Sequence, residues 1–207
     1  MRSPLEPEFV RAGLITSGQP WVDVEFHAAL GSTNDRARAL AAEAGRPWRV
    51  VLTDHQTGGR GRLGRTWQVP DRASIAVSAL VPLADAAAAG WVPLLAGLAL
   101  ARAIRDVTAA ASRIRRPLQP RLKWPNDVLL AEDGDRKVSG ILCELVRLGD
   151  GYGVVVGAGV NVHQTRDELP VETATSLDLC GVVVRREDLV VAYLRHLAAL
   201  LGPLGEG

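Results

Sequence analysis

The chain has 207 residues, of which 47% are hydrophobic and 23% are charged, and its formal net charge is +1. This length suffices for one sizeable core, and the composition is that of a globular protein rather than a disordered or fibrous one. A charge this close to neutral excludes a global attraction to nucleic acid or to an anionic membrane. Any bound anion must therefore meet a local cluster of positive charge.

The cysteines, the N-terminal residues and the apolar runs further restrict the class of protein. Cys143 and Cys180 cannot build a disulfide framework, and the four histidines are too scattered for a zinc site. The first residues lack the apolar core of a signal peptide. The most apolar stretch, 83–101, contains Asp85 and Pro93 and predicts a buried helix, not a transmembrane one. We expect a cytoplasmic protein that binds neither nucleic acid nor membrane.

The first half of the chain predicts alternating strands and helices. Ser32 is the expected N-cap of a helix that runs to Ala44, and Asp35 lies in its first turn, where the helix dipole favours negative charge. The remaining predicted elements are an edge strand over 21–26, strands over 49–54 and 74–81, and a helix over 91–107.

The second half predicts hairpins and a closing helix. Tight turns join the strands, which implies antiparallel pairing rather than a doubly wound parallel sheet. We therefore predict an α/β fold with a mixed, largely antiparallel sheet flanked by helices. The predicted strands are 121–124, 127–130, 137–148 and 152–156, and an amphipathic helix covers 187–201.

The strongest local signal is a segment, 58–67, that holds four glycines and three arginines. Glycines let main-chain N–H groups approach an anion, and arginines supply permanently charged, bidentate donors for carboxylate and phosphate. A flexible solvated loop or a nucleic-acid-binding tract is the alternative, but such a tract normally repeats. The composition favours a loop that binds a small anionic molecule.

Two lysines and an asparagine follow in distinctive settings. Lys123 precedes a turn at Pro125, and the Asn126 amide can both donate to and accept from a nucleobase. The structural alternative is a turn stabilised by the side chains of Asn126 and Asp127. Lys137, taken by itself, is an ordinary surface lysine beside an acidic turn.

Several common catalytic signatures are absent. The glycine pair in 157–162 follows a strand but lacks the full dinucleotide-binding pattern, and the chain has no P-loop, nucleophile elbow or HExxH. Joining a carboxylate to AMP needs no enzyme nucleophile, because it requires two anions to be held together while charge develops at phosphorus. The arginines and lysines suit that adenylation.

Five motifs, taken together and in order, resemble the catalytic domain of the biotin protein ligases. The resemblance covers about residues 20–180 and implies a fold like that of class II aminoacyl-tRNA synthetases. It also implies that biotin and MgATP form biotinyl-5′-AMP, from which biotin passes to a lysine of a biotin carboxyl carrier domain. The motifs are Gly31-Ser32-Thr33-Asn34, Gln56-x-x-Gly59-Arg60-Gly61-Arg62-x-Gly64-Arg65-x-Trp67, Lys123-Trp124-Pro125-Asn126-Asp127, Lys137-x-x-Gly140-Ile141-Leu142-x-Glu144 and Gly157-x-Gly159-x-Asn161.

The resemblance also implies roles by motif position, with no magnesium ligand assigned. The implied catalytic residues are Lys137, which lies between the biotin carboxylate and the α-phosphate, Arg62 and Lys123. The implied biotin-binding residues are Ser32, Thr33, Asn34, Gln56, Arg60, Gly61, Arg62, Lys137 and Gly140. The implied ATP- and adenylate-binding residues are Arg60, Arg62, Arg65, Trp67, Asn126 and Asn161.

The chain departs from the family pattern in length. We expect residues 1–207 to form one catalytic domain with its core at about 20–201, and to act as a monomer or homodimer. About thirty residues precede Ser32, too few for a helix-turn-helix DNA-binding domain and linker. Six follow Leu201, so the family's small C-terminal domain is expected to be absent or truncated. Ser139 stands where the family often has alanine.

Two other functions compete with this interpretation. A lipoate protein ligase shares the fold and the adenylate chemistry, but Gln56 with the arginine–glycine loop favours biotin. A non-catalytic biotin or nucleotide sensor is the other alternative. The presence of both Lys123 and Lys137 argues against a sensor, because a passive binder does not require cations at a reacting centre.

Overall fold

The computed structural model describes residues 2–43, 46–111 and 117–205. Over these residues the chain forms one mixed sheet of seven strands and four α-helices. The strands are β1 (Asp23–Leu30), β2 (Arg49–Gln56), β3 (Ser74–Leu83), β4 (Pro120–Lys123), β5 (Asp127–Leu130), β6 (Arg136–Leu148) and β7 (Gly151–Asn161). The helices are α1 (Pro7–Leu14), α2 (Thr33–Ala42), α3 (Val92–Ala110) and α4 (Arg186–Gly205).

The sheet has the order β1-β2-β3-β7-β6-β5-β4. Only β1 and β2 pair in parallel, and every other neighbouring pair is antiparallel. The helix α2 is the crossover between the two parallel strands, as such a connection requires. The predicted mixed, largely antiparallel sheet is confirmed, and so is the edge position of the first strand.

Helices cover the two faces of the sheet unequally. Along β2, Val50 and Leu52 point into a large core shared with α1, α3 and α4. The residue between them, Val51, points to the opposite face, where it packs with Leu40 of α2. This period-two alternation buries both faces of β2. Because α2 is only ten residues long, it leaves part of its own face of the sheet for a cavity.

The helix α1 was not predicted from the sequence. It buries only Val10 and Leu14, one i, i+4 pair, which is too short a pattern to identify a helix. The predicted buried helix within 83–101 begins later than the apolar run, because β3 extends to Leu83 and α3 starts at Val92. The predicted helix end at Ala44 lies outside the described residues.

The glycine pair of 157–162 lies within β7 and not after a strand, so that expectation was wrong. A glycine inside a strand commonly marks the close approach of another group. The closing helix, α4, has the length and hydropathy of a membrane span. In this structure it packs into the large core through buried residues that include Leu189, Tyr193 and Leu197.

Candidate active site

A cavity of about 450 Å³ opens on the α2 face of the sheet. Its volume lies in the range of small-molecule sites. Five cationic side chains and a single acidic one, Asp127, are among its lining residues. Thirteen of the residues expected from the sequence line it: Ser32, Thr33, Asn34, Gln56, Arg60, Gly61, Arg62, Arg65, Trp67, Lys123, Asn126, Lys137 and Gly140.

The N-terminus of α2 supplies one polar corner of this cavity. The Ser32 hydroxyl accepts a hydrogen bond from the Asp35 N–H at 3.4 Å, so the predicted N-cap is confirmed. The N–H and hydroxyl of Thr33 both donate to Gln56 Oε1, at 2.9 and 3.1 Å. These bonds fix the Gln56 amide and join the end of β2 to the start of α2.

The carboxamide of Asn34 is held on both sides by hydrogen bonds. Its Oδ1 accepts from the Ser78 hydroxyl at 2.6 Å, and its Nδ2 donates to Glu144 Oε2 at 2.6 Å. A Cβ on Gly157 would lie 2.1 Å from Asn34 Oδ1, so this position of β7 excludes any side chain. Ser78 was not identified from the sequence, because one serine in an apolar strand gives no signal.

Two glycines on adjacent strands make a flat shelf for an indole ring. Gly140 of β6 is directly opposite Gly159 of β7. A Cβ on Gly159 would lie 2.4 Å from Trp67 Cε2, and a Cβ on Gly140 would lie 3.3 Å from Trp67 Cζ3. The glycines therefore let Trp67 lie against the sheet and form an apolar wall of the cavity.

Lys137 is held in place through both its side chain and its backbone. Its Nζ lies 2.7 Å from Asp127 Oδ1 and 5.6 Å from the centroid of the Trp67 ring. Its backbone is fixed by Thr173 O, which accepts from the Lys137 N–H, and by Thr175 N–H, which donates to the Lys137 carbonyl, both at 2.8 Å. No ligand role was predicted for Asp127, although it belongs to the motif that contains Asn126.

The glycine–arginine segment forms a narrow loop with a fixed base. The Trp67 N–H donates to the Gly59 carbonyl at 2.9 Å, and the Gly61 N–H donates to the Arg65 carbonyl at 2.6 Å. At the tip, Leu63 has a φ of 58° and is 90% exposed. Within the described parts of the chain, the guanidinium groups of Arg62 and Arg65 form no ion pair, so both are available to an anion.

Lys123 and Asn126 line the side of the cavity formed by β4 and β5. Lys123 is exposed at the end of β4 and has no ion-pair partner among the described residues. The alternative interpretation, a turn stabilised by the Asn126 side chain, does not hold. The Asn126 Nδ2 donates to the Ile141 carbonyl at 2.8 Å, which joins the start of β5 to β6.

Asn161 is the one candidate residue that the structure does not bring to the cavity. It is 4% exposed, its Nδ2 donates to the Thr175 carbonyl at 3.0 Å, and its Oδ1 accepts from Gln164 Nε2 at 2.9 Å. The segment that follows β7 covers this end of the strand and occupies both groups of the amide. Asn161 thus supports the segment that fixes the backbone of Lys137.

The described residues contain no cluster of three or more His, Cys, Asp or Glu side chains with metal-binding geometry. The single cavity carboxylate, Asp127, does not form a protein cage for a metal ion. What the site offers chemically is a cationic mouth, an apolar wall and a polar corner. That combination suits a molecule with a carboxylate, an apolar body and a hydrogen-bonding end.

Comparisons with known proteins agree with this geometry. Residues 31–161 match the model of the biotin/lipoate A/B protein ligase family. The chain is 38% identical over 202 residues to a biotin–[acetyl-CoA-carboxylase] ligase of Mycobacterium tuberculosis, covering 96% of this chain and 71% of the relative. It is 34% identical over 156 residues to the bifunctional ligase/repressor BirA of Escherichia coli, of which it covers 45%.

Two solved structures of biotin protein ligases are similar in fold to this chain. The biotin protein ligase of Aquifex aeolicus in complex with biotin and ATP has a TM-score of 0.69 and 28% identity, over 90% of this chain and 73% of that one. The biotin protein ligase of Leishmania major in complex with biotinyl-5-AMP has a TM-score of 0.68 and 27% identity, over 89% of this chain and 76% of that one.

Proposed function

Because the chain belongs to the biotin/lipoate A/B protein ligase family, we propose that it is an ATP-dependent biotin protein ligase. It forms biotinyl-5′-AMP from biotin and ATP, and then transfers biotin to a lysine of the biotin carboxyl carrier domain of a carboxylase. The observation that carries this proposal is the convergence of Arg60, Arg62, Arg65, Lys123 and Lys137 on one cavity that also has an apolar wall.

Biotin binding uses the two ends of the cavity differently. The ring and the alkyl chain lie against Trp67 and Ala76, which line the cavity, where apolar contact stabilises them. The ureido group meets the polar corner at Ser32, Thr33 and Gln56, where donors and acceptors are already fixed by hydrogen bonds. A fixed corner of this kind lowers the entropic cost of binding.

The first reaction takes place beside Lys137. A carboxylate oxygen of biotin attacks the α-phosphorus of ATP, and the bond from that phosphorus to the pyrophosphate oxygen breaks. The Lys137 ammonium holds the two anions together and stabilises the charge that develops at phosphorus. Arg62, Arg65 and Lys123 bind the phosphates, since each has a charged group at the cavity and none has an ion-pair partner among the described residues.

The cavity suits a magnesium ion that enters bound to ATP. Mg²⁺ keeps several waters and binds phosphate oxygens, and the one acidic side chain among the described lining residues, Asp127, is already paired with Lys137. The ion would therefore be held mainly by the nucleotide, where it would neutralise phosphate charge. Before substrate arrives, Asp127 holds the Lys137 ammonium at 2.7 Å and so keeps it at the reacting centre.

In the second reaction the amine of the carrier lysine attacks the carbonyl carbon of the mixed anhydride, and AMP leaves. The carrier domain must therefore reach the mouth of the cavity at the exposed tip of the loop, 62–64. The organisation of 1–207 as one catalytic domain, the monomeric or homodimeric state and the cytoplasmic location stay predictions.

Pyrophosphate release tests the proposal and separates its alternatives. The protein is incubated with MgATP and with biotin, lipoate or no acid. We expect release only with biotin. Release with lipoate alone would indicate a lipoate ligase, and binding of biotin without any release would indicate a sensor.

A further inference from the structure

Arg60 is held differently from the other two arginines of the loop. Its Nη2 lies 2.5 Å from Asp35 Oδ1 and 3.9 Å from Glu144 Oε1. Arg62 and Arg65 have no such partners among the residues that the structure describes. One arginine at the base of the loop is therefore bound to protein carboxylates, while the two nearer the tip are left for the ligand.

The two carboxylates come from separate elements and share a second arginine. Asp35 lies in the first turn of α2, and Glu144 lies on β6. Arg38 of α2 is paired with Asp35 and lies 3.5 Å from Glu144, so positive and negative charges alternate. Glu144 also accepts the 2.6 Å bond from Asn34, which lines the cavity.

We propose that Asp35 and Glu144 form an acidic latch that holds the glycine–arginine loop over the cavity through Arg60. The latch sets how long the reactive adenylate is retained, and in this respect the inference rests on the proposed function. Asp35 and Glu144 are positioning residues, because they act on the loop through Arg60 and line no part of the cavity themselves.

The strength of the latch suits a loop that must open in every catalytic cycle. The side chains of Arg60 and Asp35 are 43% and 47% exposed, so water and salt weaken their pairing. Apart from Arg60, the loop is fixed by the short backbone bonds at its base. A weak latch keeps the loop mainly closed and still lets the loop open for a carrier lysine. Opening of such a lid commonly limits turnover, so a strong latch would slow the reaction.

Trypsin tests the latch without any ligand. Trypsin must bind the loop in an extended form to cleave after Arg60, Arg62 or Arg65, so the cleavage rate rises with the open population of the loop. We expect Asp35→Asn and Glu144→Gln each to raise cleavage at these sites about threefold, and the double variant to raise it about tenfold. Mass spectrometry assigns the sites of cleavage.

Three variants distinguish loss of the latch from a general destabilisation of the fold. Glu43→Gln removes a carboxylate that pairs with Arg36 of α2 and should leave cleavage unchanged. Asp35→Glu keeps the charge and should cleave within about twofold of the wild type. Glu144→Gln keeps a side-chain oxygen that can accept from Asn34 Nδ2 and removes only the charge, so a faster cleavage in this variant reports the lost attraction to Arg60.

Release of the adenylate completes the test. Complexes preformed with labelled biotinyl-5′-AMP are diluted into excess unlabelled biotin and ATP, and the rate at which the label leaves the protein is measured. We expect the double variant to lose adenylate about tenfold faster, with its formation rate within about twofold of the wild type. Cleavage and escape at wild-type rates in the double variant would overturn the latch. A wild-type protein that makes no adenylate would instead overturn the proposed function, while the trypsin result would still decide the latch.

Discussion

Replacing Lys137 with alanine perturbs the proposed reacting centre in two ways. It removes the cation that neutralises the biotin carboxylate and the α-phosphate, and it leaves Asp127 without its 2.7 Å partner. Loss of one preorganised electrostatic stabiliser commonly costs about 10²- to 10³-fold in rate, or about 3–4 kcal/mol. The unpaired Asp127 then repels the carboxylate of biotin.

The size of that repulsion predicts a partial rescue. Two like charges about 6 Å apart repel by about 3 kcal/mol at an effective dielectric constant of about 20. Solvent reaches Asp127, whose side chain is 22% exposed, and screening leaves about 1–1.5 kcal/mol. We therefore expect Lys137→Ala to slow adenylate formation about 10³-fold, and the added change Asp127→Asn to recover about tenfold.

Pyrophosphate exchange under biotin saturation measures both variants. Thermal unfolding is followed in parallel, so that loss of fold is not mistaken for loss of chemistry. A near-normal exchange rate in Lys137→Ala would refute the role of its ammonium. A double variant slower than Lys137→Ala would refute the electrostatic explanation, because it would show that Asp127 contributes something other than repulsion.

Three further predictions concern the shelf, the loop and the acid stability. Gly159→Ala places a methyl group 2.4 Å from the position of the Trp67 ring, so the ring is displaced and the KM for biotin should rise at least about tenfold in a steady-state assay. Arg62→Gly removes a ligand contact at the loop tip, so adenylate should escape and biotinylate stray lysines, which mass spectrometry detects. The hydrogen bond from Arg2 lowers the pKa of Glu168 to about 2, so the pair stabilises the fold fully above pH 4.5 and loses this stability as the pH falls toward 2. Arg2→Ala should therefore lower the urea midpoint at pH 7, and the gap to the wild type should narrow by pH 2.

Each of these predictions has a control in the chain. Gly202→Ala adds a methyl group where no atom lies within 4 Å and should leave the KM unchanged, so an equal rise would refute the shelf argument. Arg121→Gly removes an exposed arginine that pairs with Asp135 and should not release adenylate. Equal urea midpoints for Arg2→Ala and the wild type at pH 7 would contradict the assigned cause of the lowered pKa.

Most of the fold was predictable because each long element carries its own pattern. Alternation in 74–81 and the turn at 149–151 are local signals, and the structure has β3 and the β6–β7 hairpin at these places. The parallel pairing of β1 with β2 was not predicted, since nothing in either strand encodes its neighbour. Helix α1 was missed because it packs only two residues into the core.

The site was predictable where its chemistry lies within a motif and not where it depends on tertiary contacts. The charged loop and Lys137 were found through residue type and spacing. Asp127, Ser78 and the latch carboxylates were not, because their roles depend on pairings between different strands and helices. Asn161 was predicted to contact the adenylate, but the chain that follows β7 engages its amide, an arrangement that no local pattern reports.

Direct detection of the intermediate tests the central claim most simply. The protein is incubated with biotin and MgATP, and the bound small molecules are analysed by mass spectrometry. The convergence of guanidinium and ammonium groups on one cavity predicts biotinyl-5′-AMP in about a one-to-one ratio with protein, and formation about 10³-fold slower in the Lys137→Ala variant. Intact biotin and ATP, with no mixed anhydride, would contradict the account.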